Sequence, residues 1–134
     1  MRTRRYASEN AKPYTEHKAM MKRIDYFIPT RIVFGAGRLK ELATLSLPGK
    51  KALLCVTEDN LMEKLGIQQR VIELLGQNGV SVAVFDKVTP NPTRTGVMAA
   101  AALAKESGCD FVIGLGGGSS IDYAKSTALL MTNP

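Results

Sequence analysis

A block of glycines in the last quarter of the chain has the composition and spacing of an anion-binding loop. Four glycines occupy five positions between residues 114 and 118, and Ser119 follows them. The block comes after the apolar run 111–113 and before a helix-forming segment at residues 123–131. Backbone N–H groups of residues without a Cβ can approach a phosphate closely, and a helix N-terminus adds a favourable dipole. Because a simple turn needs only one or two glycines, the block predicts phosphate binding.

The spacing of the block differs from the two most familiar phosphate loops. A Walker loop ends in Gly-Lys-Ser/Thr, whereas the nearest following lysine here, Lys125, lies well inside the helix-forming segment. The dinucleotide fingerprint G-x-G-x-x-G, started at Gly114, requires a third glycine where Ser119 stands. The phosphate prediction therefore depends on the glycines and the helix start rather than on either motif.

A second, partial glycine motif lies near the start of the chain, at Gly35 and Gly37. Lys40 stands where its third glycine belongs, so phosphate binding is the minor interpretation of this segment. The simpler prediction is a strand over residues 31–34 that ends at Gly35 and turns into a helix over residues 38–45.

The elements that position the main glycine block alternate between strands and helices. Apolar runs predict strands near residues 51–57, 80–86 and 110–115. The first run is apolar almost throughout, which is typical of a strand buried on both faces. Helices are predicted over residues 60–77, with an interruption at Gly66, over residues 93–107, and after the glycine block. This alternation favours parallel pairing and an α/β fold class, a Rossmann-like doubly wound parallel sheet.

Ligands of doubly wound sheets bind beyond the carboxyl ends of the strands. Three segments follow the predicted strands on that edge: Thr57-Glu58, residues 89–92 and the glycine block. A carboxylate at the end of the first parallel strand can accept hydrogen bonds from an adenosine ribose and repel a 2′-phosphate. Glu58 is the candidate for this role, and an acid that merely favours the start of a helix is the alternative.

The segment Gly116-Gly117-Gly118-Ser119-x-x-Asp122-x-Ala124-Lys125 resembles the glycine signature of the iron-containing (group III) alcohol dehydrogenases. Three other segments match that family in order and spacing: residues 29–37, 56–58 and 90–93. The resemblance extends from about Tyr26 to Pro134. Glycerol dehydrogenases and dehydroquinate synthases share the glycines, but Ser119, Asp122 and Lys125 favour the alcohol dehydrogenase branch.

The resemblance implies that the chain is the N-terminal, cofactor-binding domain of a two-domain, dehydroquinate synthase-like fold. It implies hydride transfer between a primary alcohol or aldehyde and NAD, or NADP, in a homo-oligomeric full-length protein. The implied cofactor-binding residues are Glu58, Asn91, Gly117, Gly118, Ser119 and Asp122. An acidic residue at Glu58 favours NAD, although one extra residue relative to some members lets Asp59 hold the same role. Lys125 is interpreted as structural, since it is spaced to pair with Asp122.

Members of the family are much longer than these 134 residues. We therefore expect a fragment without the helical metal-binding domain, with no catalytic or metal-binding residues of its own, and inactive alone. Fe²⁺ is expected in the full-length protein only. The sequence contains a single histidine, His17, which is too few for an iron site of the family's kind. The alternatives are a non-catalytic nucleotide-binding module and the glycerol dehydrogenase-like branch.

Composition and charge are those of a soluble α/β protein, 45% hydrophobic and 22% charged, with no apolar run long enough to span a membrane. Residues 1–23 carry seven Lys or Arg against two Glu, whereas residues 24–134 carry eleven against ten Asp or Glu. Five of the six net positive charges therefore lie in a tail, and the net charge does not indicate nucleic-acid binding. The predicted organisation is a polar, basic, disordered tail at residues 1–22 and an NAD(P)-binding domain at residues 23–134.

Two cysteines without paired spacing predict reduced thiols in a cytoplasmic protein.

Overall fold

A computed structural model of the chain describes residue 25 and residues 27–133. By their contacts, residues 1–32 and residues 33–134 form two units. The described helices and strands all lie in the second unit. The predicted tail, residues 1–22, lies outside the described residues, as does His17.

Strands and helices alternate along the second unit as the sequence predicts. In chain order the described elements are a 3₁₀ helix at Arg38–Ala43, β1 at Lys51–Thr57, α1 at Leu61–Lys64, α2 at Ile67–Gln77, β2 at Ser81–Val88, α3 at Arg94–Glu106, β3 at Phe111–Gly114 and α4 at Gly118–Thr132. Gly66 separates α1 from α2 with a φ of 70°, a left-handed conformation that glycine adopts at little cost. The predicted interruption of this helix is therefore confirmed.

The three strands form one parallel sheet in the order β2-β1-β3. This arrangement confirms the predicted parallel pairing and brings the carboxyl ends of all three strands to one edge. Near that edge Cys55 lies opposite Phe85 while Thr57 lies opposite Val88, so β2 contains one extra residue there. Such a bulge bends the strand and redirects the residues that follow it.

Strand β1 is buried on both faces, as its continuous apolar sequence predicts. Ala52, Leu54 and Val56 pack in one cluster with Val71 and Leu75 of α2. Leu53 and Cys55 point the opposite way, into a cluster with these residues of β2, α3 and α4: Phe85, Val88, Val97, Ala100, Ala104 and Tyr123. Helices therefore cover both faces of the sheet, which is the doubly wound architecture.

The chain leaves the neighbouring strands β1 and β3 toward opposite faces of the sheet. The segment after β1 leads to α1 and α2, whereas the segment after β3 leads to α4 on the other face. A crevice opens between strand ends where the connections diverge in this way, and such crevices are the ligand sites of open α/β sheets. By this rule, a ligand is expected to bind at the carboxyl ends of β1 and β3.

Two predictions about the start of the second unit need correction. Residues 31–34 are not a strand: they are absent from the three-stranded sheet, and Phe34 is 88% exposed. An apolar alternation becomes a strand only when another strand completes its hydrogen bonds. The helix predicted at residues 38–45 is a 3₁₀ helix that ends at Ala43. Asn78 Nδ2 donates to the carbonyl oxygens of Leu42 and Leu45 at 2.9 and 2.8 Å, which ties the end of this segment to the C-terminus of α2.

The two cysteines are unpaired, and each is at least partly buried. Burial raises the pKa of the Cys55 thiol to about 12, and burial also raises the pKa of Cys109. Both side chains are therefore protonated, weakly nucleophilic thiols at neutral pH. No helix in the described part of the chain is both long and apolar enough to cross a bilayer.

Asp110 stabilises the edge of the sheet where the strands begin, opposite to their carboxyl ends. Its carboxylate accepts hydrogen bonds from the backbone N–H groups of Lys50 and Lys51 at 2.8 and 2.9 Å. A Cβ on Gly49 would collide with this carboxylate, so a glycine precedes the pair. The hydrogen bonds from Lys50 and Lys51 hold the pKa of Asp110 below its usual value.

Replacement Asp110→Asn is expected to lower the thermal stability at pH 7, because one accepting oxygen becomes an NH₂ group that faces a donor. A lowered pKa means that the carboxylate stabilises the fold above its unfolded pKa of about 4. This stabilisation is lost as the pH falls through the folded pKa. The stability difference between wild type and variant should therefore shrink below pH 4 in thermal denaturation scans. Asp86→Asn on β2 is the control, and equal effects of the two changes would contradict this role.

Candidate functional site

Three segments meet at the carboxyl edge of the sheet, one from the end of each strand. The backbone N–H of Glu58 donates to the carbonyl of Val88 at 3.1 Å, and that of Leu115 donates to Cys55 at 3.0 Å, so the strand pairing continues to the edge. The N–H of Asn91 donates to Ser119 Oγ at 3.4 Å. The structure therefore brings Asn91 and Ser119 together, and it places Glu58 beside the end of β2.

The four glycines of the block differ in what they do for the fold. A Cβ on Gly114 would lie 2.5 Å from the backbone oxygen of Ser120, so this glycine lets β3 and α4 approach closely. Gly116 has a φ of 133°, which other residues rarely adopt. Added Cβ atoms on Gly117 and Gly118 would meet nothing within 4 Å. Gly117 also has a φ of −85°, so its predicted site role does not involve a positive φ; that conformation belongs to Gly116.

Gly117 and Gly118 are therefore not required by internal packing or by backbone conformation. Both are exposed, and the space in front of them is open. A glycine that neither packing nor backbone conformation requires is expected where another molecule must approach the backbone. Within the block, the two glycines predicted to contact a cofactor are the two with this property.

Helix α4 begins earlier than predicted, at Gly118 rather than near residue 123, so Gly118 and Ser119 form its first turn. Its N-cap, Gly117, has no side chain to accept hydrogen bonds from the first N–H groups. Helix α3 differs, because the Thr93 side chain caps it by accepting from the N–H of Gly96 at 3.1 Å. The first turn of α4 also contains no acidic residue. An uncapped helix N-terminus of this kind attracts an anion.

The adjacent acids Glu58 and Asp59 have different environments. Asp59 Oδ1 accepts from Thr57 Oγ1 at 2.6 Å and from the N–H of Leu61 at 3.0 Å. The hydrogen bond from Thr57 has the largest effect in lowering the pKa of Asp59, and the hydrogen bond from Leu61 lowers it further. The carboxylate of Asp59 is thus engaged at the start of α1. Glu58 is exposed, and its side chain makes no hydrogen bond or ion pair within the described residues.

Asp122 lies on the exposed surface of α4, beyond the first turn. Its carboxylate pairs with Lys125 Nζ at 3.8 Å, as predicted from their spacing. Both side chains are largely solvated, so the pair contributes little to stability. Lys125 therefore pairs with Asp122 as predicted, and its interpretation as a structural residue stays a prediction.

Sequence reasoning missed a layer of side chains directly beneath the site. Tyr123 is fully buried, and its hydroxyl lies 3.0 Å from Thr89 Oγ1 at the start of the segment that carries Asn91. No sequence signal marked this tyrosine, because a single aromatic residue in an alanine-rich helix resembles ordinary core. Among the described residues, no three His, Cys, Asp or Glu side chains are grouped so that they could hold a metal ion.

Comparison with known proteins identifies the family to which the chain belongs. The family model for iron-containing alcohol dehydrogenases matches residues 29–134. The chain belongs to the iron-containing alcohol dehydrogenase family. This match confirms the family resemblance drawn from the glycine block and its three accompanying segments.

Curated members of the iron-containing alcohol dehydrogenase family match over most of this chain. Alcohol dehydrogenase 4 of Schizosaccharomyces pombe is 38% identical over 109 residues, which are 81% of this chain and 26% of that protein. The NAD-dependent methanol dehydrogenase of Bacillus methanolicus is 36% identical over 110 residues, 81% of this chain and 29% of that protein. The chain thus spans little more than a quarter of the length of these relatives.

Solved structures of the family share the fold. An archaeal halo-thermophilic alcohol dehydrogenase from a Red Sea brine pool superposes with a TM-score of 0.73 at 37% identity, covering 85% of this chain and 28% of that one. The NADH-dependent butanol dehydrogenase A of Thermotoga maritima gives a TM-score of 0.68 at 30% identity, covering 81% and 27%. These similarities confirm the predicted α/β, Rossmann-like fold class.

Proposed function

We propose that the crevice between the ends of β1 and β3 binds NAD. We further propose that the protein serves the transfer of a hydride between this cofactor and a primary alcohol or aldehyde. The open space before Gly117 and Gly118, at an uncapped helix N-terminus on the strand-end edge, carries the proposal. Membership in a family of alcohol dehydrogenases supplies the reaction class.

The pyrophosphate is proposed to bind at the first turn of α4. Gly117, Gly118 and Ser119 would hold it through their backbone N–H groups, which no capping side chain occupies. The Ser119 hydroxyl already accepts from Asn91 at 3.4 Å. Asn91 has a φ of 59° between two prolines, so its segment has few alternative conformations. We propose that Asn91 contacts the cofactor and that Asp122 orients the loop amides or faces the nicotinamide end.

Glu58 is proposed to accept hydrogen bonds from the adenosine ribose. Of the two adjacent acids, it is the one whose carboxylate is not engaged at a helix start. The same negative charge would repel the 2′-phosphate of NADP, which favours NAD. This preference is consistent with two relatives of the chain, the NAD-dependent methanol dehydrogenase and the NADH-dependent butanol dehydrogenase.

The bound nicotinamide would supply hydride chemistry, and this chain would supply binding and orientation. The described residues do not fit an iron site, since no group of three possible ligands lies among them, and we derive no step through the metal. We propose no catalytic residue in this chain. We propose a reducing compartment such as the cytoplasm, with which the two free thiols are consistent.

Titration of the ¹⁵N-labelled protein with ADP-ribose, which carries the pyrophosphate and both riboses but no nicotinamide, tests the site. We expect the largest amide shifts in three segments that are far apart in sequence: residues 57–59, 89–91 and 114–120. Shifts confined to other surfaces, or no shifts at millimolar ADP-ribose, would contradict the proposal. Ribose 5-phosphate serves as a control, because it has one phosphate and no adenosine and should bind far more weakly.

A further inference from the structure

The side chain of Tyr123 extends from α4 beneath the segment that follows β2. The residue is fully buried, one turn after Ser119, and its ring lies 6.3 Å from the ring of Phe85. Its hydroxyl is 3.0 Å from Thr89 Oγ1. A buried tyrosine needs a hydrogen-bond partner, and here the first partner is Thr89, the first residue after β2. The side chain of Thr93, the N-cap of α3, also interacts with the hydroxyl.

Gly96 makes room for this hydroxyl. A Cβ added to Gly96 would collide with the Tyr123 hydroxyl and would lie 3.1 Å from the ring carbon that bears it. The N–H of Gly96 also donates to Thr93 Oγ1, the N-cap of α3. The tyrosine hydroxyl therefore fits between the start of the segment, at Thr89, and the first turn of α3, where the segment ends.

The hydrogen bond between this segment and the first turn of α4 is weak. The hydrogen bond from the Asn91 N–H to Ser119 Oγ is 3.4 Å long and involves exposed or half-exposed residues. A surface bond of that length cannot by itself hold a loop in one position. The bond between Tyr123 and Thr89 is shorter, at 3.0 Å, and it is part-buried.

We propose that Tyr123 is a positioning residue, seated by Gly96, that holds residues 89–92 against the start of α4 and so keeps Asn91 at the dinucleotide site. This inference depends on the proposed function for its ligand, the pyrophosphate and ribose portion of the cofactor. Tyr123 itself is fully buried, so it would not contact the ligand. It acts through Thr89 and the backbone of the segment.

Tyr123→Phe removes only the hydroxyl and keeps the ring in the core. We expect the variant to remain folded and to bind ADP-ribose about three- to tenfold more weakly, the effect of one lost hydrogen bond. Phe85→Leu is the matched control, because it removes the neighbouring ring without touching Thr89. It should lower the melting temperature more than Tyr123→Phe does, with ADP-ribose affinity unchanged while the protein is folded. If affinity follows melting temperature in both variants, Tyr123 is merely part of the core and the inference fails.

Gly96→Ala tests whether Gly96 provides the space that the Tyr123 hydroxyl occupies. In the wild-type background the new Cβ displaces the hydroxyl, so both the melting temperature and ADP-ribose affinity should fall. In the Tyr123→Phe background the closest atom, the hydroxyl oxygen, is absent, and only the 3.1 Å contacts with the ring carbon and Thr93 Oγ1 remain. The same change should therefore cost less. Additive effects would overturn the proposed fit between Gly96 and Tyr123.

The ligand-free protein separates this inference from the proposed function. Tyr123→Phe should shift the Asn91 amide resonance and speed its hydrogen exchange, whereas Phe85→Leu should leave both nearly unchanged. If wild-type protein fails to bind ADP-ribose but the Asn91 amide responds in this way, the proposed function is wrong and the positioning role stands. An unperturbed Asn91 amide in Tyr123→Phe overturns the positioning role whatever the ligand does.

Discussion

Replacement of Gly117 by valine is expected to abolish dinucleotide binding without unfolding the protein. The valine Cβ would meet no atom of the chain within 4 Å, and a φ of −85° suits a β-branched residue. Its methyl groups would instead occupy the space in front of the α4 N-terminus, where the pyrophosphate is proposed to lie. Losing two charge-assisted hydrogen bonds corresponds to an affinity loss of about a hundredfold or more.

Calorimetric titration with NAD and thermal denaturation together measure this result. Gly114→Ala is the matched control, since its Cβ would lie 2.5 Å from the Ser120 oxygen and 3.0 Å from the Ile121 Cα. That change should destabilise the fold by separating β3 from α4. Unchanged NAD affinity in folded Gly117→Val would remove the central support for the proposed site.

Replacement of Glu58 by glycine is expected to change cofactor preference rather than stability. NAD affinity should fall because the ribose loses its acceptor, and NADP affinity should rise because the repulsion of the 2′-phosphate disappears. A charged hydrogen bond of this kind corresponds to about a ten- to hundredfold change in the affinity ratio. Titration of both nucleotides against the variant gives the ratio directly.

Asp59→Asn is the control for this change. It retains the oxygen that accepts from Thr57 and Leu61 and removes only the charge, so the NAD to NADP ratio should be unchanged. A constant ratio in Glu58→Gly together with an altered ratio in Asp59→Asn would assign the selectivity to Asp59.

The elements with strong local signals were predictable from sequence. The run Lys51–Thr57, apolar from residue 52 to residue 56, favours a strand with helices on both faces, and the structure buries it in two clusters. Thr93 before an alanine-rich stretch and Gly108 after it delimit α3, because capping chemistry involves near neighbours in the chain. Family membership was also predictable, since four short segments in fixed order carry it.

The start of α4 was not predictable in the same way. Glycines have low helix propensity, so the sequence favours a helix only after the block. In the structure Gly118 and Ser119 are helical, and Gly114 lets the backbone at Ser120 pack closely on the end of β3. Tertiary packing of this kind outweighs local propensity. Conversely, residues 31–34 have strand-like alternation but are not part of the described sheet.

Residue types and spacing alone predicted a parallel sheet and an anion-binding site at its glycine-rich edge, because glycine and strand-end chemistry are local properties. The parallel sheet is confirmed, and anion binding stays a prediction. Tertiary structure decided which role each residue has at that edge. Gly114 serves packing while Gly117 faces open space, and Asp59 binds its own helix start while Glu58 does not. Tyr123 supports the segment of Asn91 from below. Each of these assignments depends on which atoms occupy the neighbouring space, and a sequence does not state those distances.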